Sequence, residues 1–124
     1  MEQEKRYSVL LQHMQAGIVV HAPDTTIIMN NARAAELLDL TEDELCGKTA
    51  IDPAWSFISE DNATLDVDEY PVSRVLKTLQ PLENQTLGVV SPNKTEIVWL
   101  AVNGVPLFDN DGSLKEIIIS FIDK

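Results

Sequence analysis

Two periods of apolar and polar residues follow one another along this chain. Tyr7, Leu10, Leu11 and Met14 recur at helical spacing, and Gly17 stands where such a helix would end. This predicts an amphipathic leading helix over residues 3–16. GIVVHA, residues 17–22, is rich in β-branched side chains and stops at Pro23-Asp24. Thr26 to Asn30 reads as a second short strand, so the two form a hairpin. Two short helices are predicted next, over 32–39 and 42–46. Thr41 and Glu44 have the capping-box spacing at the start of the second, and Gly47 can take the left-handed conformation that stops it.

From Lys48 to Glu69 the pattern is irregular; a helical turn is predicted at Asp52-Pro53-Ala54-Trp55, with Trp55, Phe57 and Ile58 as anchors. Pro71 then starts a helix to about residue 80. Val72, Val75, Leu76 and Leu79 share one face of it, and Pro81 ends it. The last third is extended: 82–90, 95–108 and 114–123 are β-branched runs separated by SPNK and DNDGS turns. Long strands joined by tight turns must be antiparallel neighbours. The expected fold is α+β, a five-stranded antiparallel sheet with helices on one face. Residues 1–16 form the flanking helix and 17–124 a single domain, without internal repeats or linkers.

The order of these features carries a resemblance. TIIMNNARAAELLDLTEDELCGK, residues 26–48, resembles the first half of a PAS sensor domain, with Asn31, Glu44 and Gly47 at the family's Asn, Glu and Gly. Asp39 stands where the family usually has Gly. IVWLAVNGVPLFDNDGSLKEIIISFIDK resembles the family's last two strands, with its Trp (Trp99), Pro (Pro106), acidic-Gly turn and terminal Asp (Asp123). The intervening Trp, acidic loop and Pro-started helix resemble a subtype found in bacterial and archaeal signalling proteins. The resemblance implies a non-catalytic sensory or relay domain of a longer protein, such as a histidine kinase or cyclic-dinucleotide enzyme. Asp123 would pass the signal on to that output domain.

Composition narrows the partners. Twenty acidic and nine basic residues give a net charge of −11, which repels phosphate backbones and argues against nucleic acid. The dense acidic stretch from Glu60 to Glu69 reads as a solvated loop. No apolar run approaches the roughly 20 residues of a membrane helix, and MEQEKRY lacks the apolar core of a signal peptide. One cysteine forms no internal disulfide. A cytoplasmic domain without membrane contact is the expectation.

Candidate chemistry is sparse. Cys46, in LCGK, does not match the Asn-Cys-Arg-Phe setting of the family's flavin photosensors. PVSRVLKTLQ lacks the histidine that haem-binding relatives carry on the corresponding helix. Neither covalent flavin photochemistry nor haem is therefore expected. His13 is expected to face solvent, whereas His21, alternating with Val20 on the first strand, can point into the core. No His, Cys and Asp spacing suits a metal. DNDG lacks the first and twelfth ligands of a calcium loop and reads as a hairpin turn. No nucleophile elbow, phosphate loop or spaced acid–base pair suggests an enzyme.

What remains is a pocket and a surface. Anchoring the strand register on Pro106 and Asp123, by the resemblance, turns Leu100, Val102, Gly104, Ile117, Ile119 and Phe121 inward. With His21, Val72, Val75 and Leu76 these line an apolar space, in which Gly104 would leave room. The space is either filled as core or holds a small organic molecule. Trp99, Val105, Ile118 and Ile122 turn outward and form an apolar patch. The leading helix, through Tyr7, Leu10, Leu11 and Met14, is its expected cover within a homodimer.

Overall fold

The two longest strands set the architecture. The computed structural model describes residues 15–47, 57–90 and 96–123. In chain order these contain β1 (Gly17–His21), β2 (Ile27–Asn30), α1 (Ala32–Leu38), α2 (Glu42–Leu45) and β3 (Phe57–Ile58). A 3-10 turn (Val67–Glu69), α3 (Pro71–Thr78), β4 (Leu82–Val89), β5 (Val98–Phe108) and β6 (Leu114–Asp123) follow. β5 and β6 pair antiparallel from Leu100 opposite Asp123 to Phe108 opposite Leu114. Asp109 and Ser113 close the hairpin between them, with Gly112 at φ 87°. The DNDGS segment is thus a hairpin turn.

All pairings are antiparallel, and the strands lie in the order β2-β1-β6-β5-β4-β3. The first and last strands are therefore neighbours at the centre. The sheet has six strands rather than five. The additional strand, β3, is two residues long and pairs Phe57 with Val89 and Ile58 with Gly88. Two residues are too few to display an alternating pattern, so this edge strand was not readable from periodicity.

Strands alternate their side chains between two faces. Along β5, Leu100, Val102 and Gly104 are buried while Val105 is exposed; along β6, Ile117, Ile119 and Phe121 are buried. These inward residues form one core with Val72 and Val75 of α3 and Ala34 and Leu37 of α1. α3 starts at Pro71 as expected but ends at Thr78, because Leu79 adopts a left-handed conformation (φ 55°) and caps Val75. Leu79 is consequently exposed and leaves the face it was expected to share with Val72, Val75 and Leu76.

The local signals between β2 and α2 act through identifiable hydrogen bonds. Asn31 is fully buried; its Oδ1 accepts from the Ile18 and Ala34 amides at 3.0 and 2.9 Å, and its Nδ2 donates to the Ala16 carbonyl at 3.0 Å. One side chain thus caps α1 and ties it to the start of β1. Asp39, at the family's Gly position, has φ 58° and ends α1 in the left-handed region that Asp tolerates better than most residues. Thr41 and Glu44 make both bonds of the capping box, at 2.9 and 3.0 Å.

The leading helix, the turn at Asp52 to Trp55 and the SPNK turn lie outside the described residues. No described helix is long and apolar enough to cross a membrane.

Candidate ligand pocket

Between α3, α1 and the inner face of the sheet the core leaves a cavity of about 70 Å³. Its floor comes from the central strands: Val19 and His21 of β1, Ile119 and Phe121 of β6, Leu100 and Val102 of β5, and Leu87 of β4. Tyr70, Pro71 and Val72 at the start of α3, with Ile27, Leu38 and Phe57, complete the wall. The Tyr70 ring packs edge-on against Phe57, with centroids 5.0 Å apart and planes at 78°. Gln85 braces this corner by donating its amide to the Glu69 carbonyl at 2.9 Å.

Among the described residues only His21 and Tyr70 bring polar side chains to this wall. His21 is 7% exposed. Its Nδ1 lies 2.8 Å from the Thr25 carbonyl. A carbonyl only accepts, so the proton is on Nδ1, and Nε2 carries the lone pair of a neutral imidazole. Burial lowers the His21 pKa from its ordinary 6.5, and the Thr25 hydrogen bond opposes that only in part. Burial also raises that of the Tyr70 hydroxyl.

The hairpin that presents His21 is irregular. The β1–β2 register slips between Val20 and His21, so that Ile28 bulges outward and is half exposed. Thr25 has φ 76°, a left-handed conformation that a β-branched residue seldom adopts. Its carbonyl is turned to the imidazole as a result.

Of the residues expected at the pocket, His21, Val72, Leu100, Val102, Ile119 and Phe121 line the cavity. Val75, Leu76, Gly104 and Ile117 do not. Val75 and Ile117 are fully buried as packed core, and Leu76 packs at its edge. Gly104 provides no room either. A Cβ there would stand 2.8 Å from Val75 Cγ2 and 2.9 Å from Ile119 Cδ1, so the glycine allows α3 to press onto the sheet.

Sequence reasoning missed Val19, Ile27, Leu38, Phe57, Tyr70, Pro71 and Leu87. Val19 was recoverable because it is two residues from His21 on one strand. Leu87 was recoverable only from its pairing with Leu100. The others sit on short elements or a helix start, where no period fixes a direction.

On the outer face Val105 and Ile122 are exposed, and Trp99 and Ile118 are half-buried. Ile18 and Val20 on the same face are buried, in a second cluster with Ala16, Met29 and Ile118. Tyr7, Leu10, Leu11 and Met14 lie outside the described residues. Asp123, exposed at the end of β6, pairs with Arg33 at 3.3 Å, and Arg33 also reaches Glu36 at 3.3 Å. Cys46 is exposed, and no cluster of metal-ligating side chains occurs among the described residues.

A curled antiparallel sheet with short helices on one face defines the architecture of this chain. The family model described as the PAS fold matches residues 5–124, and the chain belongs to the PAS family. The PAS domain of nitrogen regulation protein NR(II) from Vibrio parahaemolyticus superposes with a TM-score of 0.67 at 14% identity, over 95% of this chain and 97% of that one. The PAS domain of Bordetella pertussis BvgS gives 0.67 at 20% identity, over 100% and 88%. A PAS domain from a two-component sensor histidine kinase gives 0.70 at 10% identity, over 99% and 97%. At such identities these likenesses establish the fold alone. No curated protein matches the chain.

Proposed function

We propose that this chain is a non-catalytic sensory domain of a signal-transduction protein, and that it binds a small organic molecule in the cavity beneath α3. The observation that carries this is the contrast inside one core. Val75, Gly104 and Ile119 are in tight contact, while Val72, Val102 and Phe121, a turn or a register step away, surround empty space. Folded interiors pack at crystal-like density, so a local void with apolar walls and one presented imidazole is a feature to be explained.

Signal transmission follows from where the walls lead. Phe121 and Ile119 belong to β6, whose end bears Asp123 and its ion pair to α1. Ligand entry would shift the packing of α3 on β6 and thereby bias the chain beyond residue 123. We place this output in a histidine kinase or a comparable effector of the same polypeptide, working in the cytoplasm. The apolar outer face, with Val105 and Ile122 exposed, suits a homodimer formed together with the leading helix. Neither haem nor covalent flavin photochemistry is part of this reading, since PVSRVLKTLQ has no histidine and Cys46 lies outside the photosensor motif.

A relay module with a filled core is the second reading. It is favoured by the cavity's size, well below the roughly 300–1,000 Å³ of drug-sized sites. Native against denaturing mass spectrometry, with an absorption spectrum of the same sample, separates the two. A mass lost on denaturation makes the domain a sensor with a definable ligand. A clean apo dimer that also takes up no small probe makes it a relay. A monomer at tens of micromolar in sedimentation would refute the dimer.

A further inference from the structure

His21, one of the two polar side chains of the described cavity wall, narrows the kind of molecule that fits. His21 is more than nine-tenths buried and belongs to the wall. Its Nδ1–H is held by the Thr25 carbonyl, which leaves Nε2 as the accepting side of the ring. The backbone around this arrangement is irregular. Opposite His21 the bulged residue is Ile28 of β2, and Thr25 takes a positive φ that disfavours its branched side chain. The left-handed Thr25 closes the hairpin, with its amide donating to the Ala22 carbonyl at 2.9 Å, and the same turn presents its carbonyl to the imidazole and so fixes the tautomer.

We infer that His21 Nε2 is the hydrogen-bond acceptor for the pocket's ligand, and that the ligand is a small uncharged molecule with an apolar body and one N–H or O–H donor. This rests on the sensory reading above and goes on to specify the ligand's chemistry. Three features of the site select that class. Among the described residues the wall contains no carboxylate, lysine or arginine, so a charged molecule would enter without a counter-ion from them. The imidazole offers a lone pair, so the complementary group is a donor. The cavity of about 70 Å³ holds about five heavy atoms, since one water needs about 10–15 Å³ of such volume.

Pyrrole and furan test this directly, being rings of the same size that differ in having N–H or O. Each is titrated into the full chain while amide shifts and the ring-nitrogen resonances of His21 are followed by NMR. The expected result is that pyrrole binds about tenfold more tightly than furan, the usual scale of one buried hydrogen bond. Pyrrole alone should move the Nε2 resonance. In His21→Phe the two rings should bind with equal affinity. If that variant does not fold, the Nε2 resonance of the unaltered chain decides. Equal affinities, or a preference without an Nε2 shift, would overturn the His21 anchor and leave the pocket standing. Failure of both rings to perturb the cavity residues would remove the pocket reading and the anchor together.

Discussion

The two ends of the α3–sheet interface contrast sharply although the same helix and the same strands build both. At one end Val75 rests on Gly104 so closely that even a methyl group would meet Val75 Cγ2 at 2.8 Å. At the other, one helical turn earlier, Val72 faces a void shared with Val102, Phe121 and His21. The difference lies in backbone approach. A glycine brings α3 down at its C-terminal half, while Tyr70, Pro71 and Phe57 prop its N-terminal half away from the sheet. A tight hinge beside a hollow is the arrangement expected if filling the hollow is to tilt the helix.

The largest expected effect is at the tight end. Gly104→Leu must displace the Val75 methyl, which is stiff on a helix, although the Ile119 Cδ1 can rotate away. Overpacking of this kind costs about 1–3 kcal/mol and at times more, and a value of about 3 is expected here. Val102→Leu at the hollow end adds one methylene into open space and should change the denaturant midpoint little or raise it. Equal losses for both variants would abolish the contrast.

A smaller effect is expected from truncation. Val75→Ala removes two methyl groups from a fully buried site that has no slack, worth about 0.8 kcal/mol each plus a cavity term. We expect about 2–3 kcal/mol of destabilisation, measured by urea unfolding. Val72→Ala enlarges a space that is already open and should cost visibly less. A larger loss at Val72 would mean that the void is closed in solution.

The sequence made one end of this contrast far more legible than the other. The alternation in β5 and β6 placed Leu100, Val102, Ile117, Ile119 and Phe121 inward, because a period of two over ten residues leaves little ambiguity. The Thr41–Glu44 box and the DNDGS turn were equally local and equally readable. Gly104 was read as room when it is contact: a missing side chain states that something is close or absent, and only the third dimension tells which. The propped end drew on Phe57, Tyr70 and Pro71, whose directions depend on a two-residue strand and a helix start. The tautomer of His21 depended on a positive φ at Thr25 that no periodicity encodes.

The subtlest expectation concerns that histidine and pH. The His21 pKa is lowered in the folded chain, chiefly by burial, with no charged side chain contributing. In the unfolded chain it titrates near its ordinary value of 6.5. Below that value the unfolded state binds a proton that the folded state refuses, so unfolding is favoured as the pH falls. The His21 contribution is therefore fully present above about pH 6.5 and is lost as the pH drops toward the lower folded value. Urea midpoints between pH 8 and pH 5 should fall for the unaltered chain more steeply than for His21→Phe, in which this one proton is absent. Every other group is common to the two chains and cancels in the difference. A ligand donating to Nε2 competes with the same proton, so pyrrole should steepen the slope and furan should not. Parallel pH profiles for the two chains would mean that His21 is solvated, and the hollow end would then be a water-filled cleft instead of an apolar pocket.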